Sequence, residues 1–357
     1  MFKSIFSLRA LALAALAVVT TGASSAQSPY KILDHWTIGG TGGWDYMFAD
    51  AGAHRLYVSH GPQVDVVDTT TGKLTGTITG LQRTHGIVVD DAGKDGYITD
   101  SGLNAVVVFD RTTLKVVKTI AAGTGPDGEA WEPVTRTIWA FNGRSNNVTV
   151  IDSTTNEMVA TIALPGRPEF PQTDGKGFVY DNLESTNQVV KIDARTKKIV
   201  ATWTLKDCDG PSGLAIDREH MKLFSVCDGK KAAVLDAETG KQLASPEIGD
   251  GPDAAGASSK LQLAFSSNGA GTLSVVDLKG YKTIEDLPTE KGARTMAYDG
   301  ETDTVYLVTA KFGPTPAATA AMPRPRPAVL PGSFEVIVVG RNKPSSRQRA
   351  SWSEQHL

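Results

Sequence analysis

Residues 147–162 read "NVTVIDSTTNEMVATI". An alternating apolar run leads into Asp152, a polar turn follows, and a second alternating run begins at Glu157. Alone, this is a β-hairpin. Close relatives of the phrase stand at 64–78 ("VDVVDTTTGKLTGTI"), 105–120 ("AVVVFDRTTLKVVKTI"), 188–203 ("QVVKIDARTKKIVATW"), 232–248 ("AAVLDAETGKQLASPEI") and 272–287 ("TLSVVDLKGYKTIEDL"). Their landmark aspartates are Asp68, Asp110, Asp152, Asp193, Asp236 and Asp277, spaced 42, 42, 41, 43 and 41 residues apart. A fixed period in this range, built only from strands, predicts a β-propeller with one four-stranded blade per repeat. Asp followed by Thr suits a tight turn, because the carboxylate accepts backbone N–H bonds two residues on. The six aspartates are therefore expected to be turn residues rather than ligands.

Two further strands precede each landmark; in the second repeat they are "HGIVVDD" and "DGYITDS". After the sixth repeat come "RTMAYD", "DTVYLVTA", a long interruption and "SFEVIVVG" at 333–340, which make a seventh blade with only three strands. The missing strand is expected from the other end of the chain, "YKILDHWTI" at 30–38. Pairing the two would close the ring and remove both open edges. The fold class predicted is all-β, a seven-bladed propeller closed by its N-terminal strand and spanning 27–341, with a Pro-rich insertion at 311–332. The basic, Ser-rich stretch 342–357 is expected to be disordered.

The 357-residue chain has a formal net charge of -3, so its balance does not suggest a dedicated nucleic-acid binder. Lys3 and Arg9 precede the apolar run "ALALAALAVV", and "SSA" ends at Ala26. Residues 1–26 thus read as a secretory signal peptide, the run being too short for a membrane span. A periplasmic or secreted location follows as an expectation. Cys208 and Cys227 are the only cysteines, and an oxidising compartment permits their pairing. Cys208 falls in a loop and Cys227 at the end of an antiparallel strand of the same blade, so both reach one rim.

The elements "RLYVSH", "TVYLVT" and "VTVIDSTTNEMVATI" resemble the YVTN-type repeat, and residues 30–341 together resemble the YncE-like exported propellers. The resemblance implies an exported binding propeller, with single-stranded DNA binding suggested for a relative. It specifies the fold better than the function, since propellers host binding proteins, lactonases and lyases alike.

In a blade of strands A to D, the D–A and B–C loops share one rim. The D–A loops are "GGTGGWDY", "LQRTHG", "AGTGPDGE", "PGRPEF", "DCDGPSG", "GDGPDAA" and "EKGART". Strand A lines the channel, so these loops are expected to deliver Trp44, Asp45, Tyr46, His85, Asp127, Glu129, Glu169, Phe170, Ser212, Asp253 and Arg294 to its mouth. Convergent polar groups with aromatics define the default binding site; solvated channel residues are the bland counterpart. Asp45, His85, Asp127, Glu169 and Asp253 are the candidate metal ligands, and oxygen donors with one imidazole suit Ca²⁺ or Mg²⁺. Arg294 is expected to hold a carboxylate or phosphate. The insertion, with Arg324 and Arg326, reads as a lid or a partner-docking arm.

No nucleophile elbow, P-loop, HExxH or CxxC occurs. The first expectation is therefore a binding or scaffold protein that uses this rim for a small ligand or a protein partner. A metal-assisted or acid–base lactonase or lyase is the second. A single-stranded nucleic-acid binder, stacking bases on Trp44, Tyr46 and Phe170, is the third.

Overall fold

The structure is a computed structural model that describes residues 30–341 except 91, 92, 320, 321, 323, 324 and 326. The signal-peptide reading, the C-terminal stretch and the arginines at 324 and 326 fall outside the described residues. Seven antiparallel four-stranded sheets form the blades of a β-propeller. Their A strands are Trp44–Asp50, Thr84–Val89, Pro126–Glu132, Pro168–Thr173, Leu214–Asp217, Pro252–Ser258 and Thr295–Asp299, for blades 1 to 7 in order. No helix of the described residues is long and apolar enough to cross a membrane.

The landmark aspartates close the C–D turns as expected. Asp152 Oδ1 accepts the backbone N–H groups of Thr154 and Thr155, at 2.7 and 3.2 Å. Asp68, Asp110 and Asp236 each repeat that pair of bonds. Four residues after each of the six aspartates the chain turns left-handed, at Gly72, Leu114, Asn156, Lys197, Gly240 and Tyr281. Only two of these are glycine, so the Asp-anchored turn and its flanking strands hold the other four in a conformation side chains disfavour.

The core lies between blades. Among the described residues seven buried apolar clusters appear, one at each blade junction. Alternation puts one face of every sheet against each neighbour, which is why central strands such as Arg55–His60 and Thr137–Asn142 are buried almost throughout.

Ring closure is as the sequence implies. Tyr30–Thr37 pairs antiparallel with Glu335–Arg341 in blade 7, from Tyr30↔Arg341 to Thr37↔Glu335. Tyr30 is wholly buried, meets Phe265 of blade 6 edge-on at 5.2 Å between ring centres, and donates its hydroxyl to Asp303 at 2.9 Å. One residue thus joins the closing strand to blades 6 and 7. The insertion leaves between strands B and C of blade 7. Its base is a short ladder in which Gly313 N–H donates to Ala328 O and Leu330 N–H to Lys311 O, both at 2.8 Å.

Cys208 and Cys227 are bonded, with Cα atoms 5.1 Å apart. The bridge joins the loop entering blade 5 to the end of its B strand.

Tyr30→Ala should cost about 3–5 kcal/mol, the usual loss for truncating a buried aromatic. A chain starting after residue 38 should lose more, since it opens the ring. Denaturant titration measures both; a truncated chain as stable as the parent would refute closure by this strand.

Candidate functional site

The channel mouth is built by a repeated local distortion. In blades 1 to 4 the first A-strand residue pairs with strand B: Trp44↔His60, Thr84↔Asp100, Pro126↔Asn142 and Pro168↔Leu183. The register then breaks, and regular pairing resumes three residues later at Met47, Ile87, Glu129 and Pro171. Blade 6 breaks register after Pro252↔Asn268. A bulge of this kind re-aims the side chain it releases. The residue released first is Asp45, His85, Asp127, Glu169 and Asp253 in turn. Ser212 and Arg294 hold the corresponding loop positions in blades 5 and 7.

Asp45, His85 and Asp127, from three consecutive blades, converge. Their ligand atoms all lie within 4.8 Å of one another. The His85 Nδ1 atom bonds Asp45 Oδ2 and lies 3.3 Å from Asp127 Oδ1, while Nε2 meets Ser101 Oγ at 2.8 Å. Burial lowers the proton affinity of the imidazole, but the bonds to Asp127 and Asp45 outweigh it and push its pKa up to about 10. At neutral pH His85 is thus an imidazolium between two carboxylates.

Glu169 and Asp253 feel the same centre. Burial, then the charge of Asp127, pushes Glu169 up to about 8; Arg167 opposes this. Burial also raises Asp253 to about 6, against the pull of Arg294 and with the repulsion of Asp45 and Asp127. Arg294 donates to Asp253 at 3.1 Å. The guanidinium expected to hold an anion is therefore already engaged, in a ring where carboxylates outnumber cations. Behind the ring, Asp181 of strand Phe178–Leu183 is wholly buried, and neither carboxylate oxygen makes a hydrogen bond of ordinary geometry. Burial and the charges of Glu169 and Asp127 raise its pKa well above the carboxylate range.

One residue further along, the seven blades contribute Tyr46, Gly86, Gly128, Phe170, Gly213, Ala254 and Thr295. Tyr46 and Phe170 stack on each other, ring centres 5.1 Å apart, and Tyr46 donates to the backbone O of Glu169 at 2.9 Å. The glycines make room: a Cβ on Gly128 would fall 2.5 Å from Glu169 O and Pro171 Cδ. The pair floors the acidic mouth. A cavity of about 620 Å³ continues beyond it, lined by Tyr46, Phe170 and the later residues of the A strands.

The expected site residues thus separate. Asp45, His85, Asp127, Glu169, Asp253 and Arg294 share the mouth, and Tyr46 and Phe170 form its floor. Trp44 stands outside, packed on Phe334 and Phe312 at 5.1 and 6.0 Å between ring centres. Glu129 is also elsewhere: it is buried against Gly86 of blade 2, and burial pushes its pKa up to about 8. His60, at the end of strand B of blade 1, is buried and bonded to Asp65 at 2.8 Å. Ser101, in the turn after the B strand Asp95–Asp100, and Asp181, in the B strand Phe178–Leu183, are absent from the sequence reading because they reach the site only through the blade packing.

Fold and mouth together define a seven-bladed β-propeller with an acidic channel entrance. No family model matches the sequence, and no curated protein does. Among solved structures the chain is similar to hydrazine synthase of Kuenenia stuttgartiensis, with TM-score 0.66 and 16% identity over 75% of this chain and 92% of that one. It is also similar to U3-55K, with TM-score 0.70 and 10% identity over 87% of this chain and 98% of that one. Likeness at such identities is one of fold.

Two sets of carboxylates give stability opposite pH slopes. Glu169 keeps its proton in the folded chain up to about pH 8, whereas the unfolded chain releases it near 4.5. Asp253 does the same between 3.8 and about 6, and the His85 contribution is present below 6.5 and lost as pH rises through about 10. All three make stability fall as pH rises. The turn aspartates Asp68, Asp110 and Asp236 are held below 3.8 by Thr71, Thr113 and Thr239 and act oppositely, losing their contribution in acid. Melting temperature should therefore peak near pH 4–5 and decline toward pH 9, less steeply in Glu169→Gln. A flat or rising profile from pH 5 to 9 would contradict the arrangement.

Proposed function

We propose that the protein is an exported, YncE-like binding propeller whose channel mouth receives a small, positively charged ligand. The observation that carries this is the convergence of Asp45, Asp127, Glu169 and Asp253 from four blades, close enough for the charges of Asp45 and Asp127 to raise the proton affinity of Glu169 and Asp253. Like charges in a half-buried site are unfavourable until a cation joins them, so a cation gains where an anion would be repelled. The aromatic floor supplies an apolar face beneath the charges, and such faces also attract cations. Export is supported by the signal-like N-terminus and fits the disulfide.

Nucleic-acid binding is not favoured. Of the three aromatics expected to stack bases, Tyr46 and Phe170 stack on each other and Trp44 packs on Phe334, and the surrounding carboxylates repel phosphate. One observation favours the lactonase or lyase reading: Glu169, at about 8, is poised to exchange a proton near neutrality.

Divalent cations and spermidine should raise the parent's melting temperature at pH 7.5. At a hundredfold excess over Kd the stabilisation is about 2.7 kcal/mol. Asp127→Asn and Asp253→Asn should each diminish the shift, and small organic anions should give none. Stabilisation by anions alone would refute a cation-binding mouth.

A further inference from the structure

Resting on that reading, we infer that Asp45, His85 and Asp127 form a binding site for a first-row transition divalent ion such as Zn²⁺, Co²⁺ or Mn²⁺, rather than for Ca²⁺ or Mg²⁺.

The donor set is one imidazole nitrogen between two carboxylates. Imidazole suits Zn, Cu, Fe and Ni, and carboxylate suits Mn as well as the hard ions. Ca²⁺ requires 6–8 oxygen ligands and Mg²⁺ prefers water and carboxylate, so neither gains from the nitrogen at the centre. The three ligand atoms lie within 4.8 Å of one another, close enough for a single ion to reach all of them. The ion would take the place of the Nδ1 proton, which passes to solvent.

The imidazole is already oriented for this. Nε2–H donates to Ser101 Oγ at 2.8 Å, which fixes the ring and directs Nδ1 at the carboxylates. Metal-binding histidines are characteristically held through their second nitrogen in this way. An independent observation points to the same place. Asp181 is wholly buried, its carboxylate lacks a hydrogen bond of ordinary geometry, and it lies against the Glu169 backbone within the field of Asp127. A buried acid within the field of other acids is a persistent cost, which a divalent charge held by Asp127 reduces. The stacked Tyr46–Phe170 pair closes the site from below.

Calorimetric titration of the purified protein with ZnCl₂ tests the assignment, with CoCl₂ absorption spectra as a second readout. One equivalent of Zn²⁺ should bind, at least tenfold more weakly in Asp127→Asn and His85→Gln, with Ca²⁺ and Mg²⁺ at least tenfold weaker than Zn²⁺ on the parent. The Co²⁺ spectrum should change in His85→Gln. Should that variant fail to fold, Asp127→Asn and Ser101→Ala decide: both should weaken Zn²⁺ while leaving the circular dichroism spectrum unchanged. Glu290→Gln, which alters the exposed His35–Glu290–Glu335 group, should leave Zn²⁺ affinity unchanged. Zn²⁺ binding lost in Glu290→Gln but kept in Asp127→Asn would overturn the site. So would a parent that binds no Zn²⁺, or binds Ca²⁺ equally well. If Zn²⁺ fails while spermidine still stabilises the parent, only the metal assignment falls; if both fail, the cation-binding mouth falls with it.

Discussion

Everything at the channel depends on the pairing of Tyr30–Thr37 with Glu335–Arg341. A propeller's blades have no fixed common axis until the last meets the first. Here the closing contact joins residues about three hundred positions apart, and the entropy of closing so long a loop grows only slowly with its length. The return is cooperative. Once the fourth strand is in place, Ile337 and Val339 are covered on the blade 6 side, and Val336 and Val338 on the blade 1 side. The seven A strands then face one axis, and side chains separated by forty or more residues in sequence become neighbours.

That convergence creates an electrostatic problem the rest of the molecule must absorb. Four acids at one mouth repel each other, and burial strengthens the repulsion. Part of the charge is countered by His85 and Arg294, and part is removed by the proton that Glu169 retains up to about pH 8. The inter-blade clusters stabilising the ring lie away from the axis, so the scaffold can hold a strained mouth without yielding. Rigid elements holding an unfavourable constellation are what a preorganised site requires.

Much of this is legible in the sequence. The Asp–Thr turns, the forty-odd-residue period and the orphan strand at each end follow from local chemistry repeated along the chain, and so survive being read locally. The cysteine pairing was legible once both residues could be assigned to one rim. The mouth was legible only as a set of loops. Which loop residue enters the channel depends on the register break after Trp44, Thr84, Pro126, Pro168 and Pro252, and alternation alone does not encode such a break. Trp44 was therefore grouped with Asp45, though it packs outward on Phe334. The recurring "GPDG", "GPSG" and "GPDA" at 125–128, 210–213 and 251–254 carry the missing signal: the residue after proline marks the released position. Contacts between opposite blades, such as Tyr46 with Phe170, had no local signature.

Blade 5 shows how the ring tolerates its least regular member. Its A strand, Leu214–Asp217, and its D strand, Gln242–Ala244, have only four and three residues. Ala215, Ala232 and Ala233 are buried in its core beside larger side chains such as Leu223 and Phe224. Pro211 stands where Pro126, Pro168 and Pro252 open the A strands of blades 3, 4 and 6, but here the regular strand begins only at Leu214. The Cys208–Cys227 bond lies beside the irregular stretch that replaces it, where Ser212 N–H donates to Val226 O at 3.0 Å and Asp228 N–H to Asp209 O at 2.8 Å. On the chain-entropy account a loop of this size contributes about 3 kcal/mol, comparable to a buried side chain. The bridge therefore holds the entrance of blade 5, and with it Ser212, at the height of the charged residues on the other blades. Ser212 is the one position of the ring with neither charge nor imidazole, and a covalent tie maintains its geometry without adding another ionic group to a mouth already crowded with them.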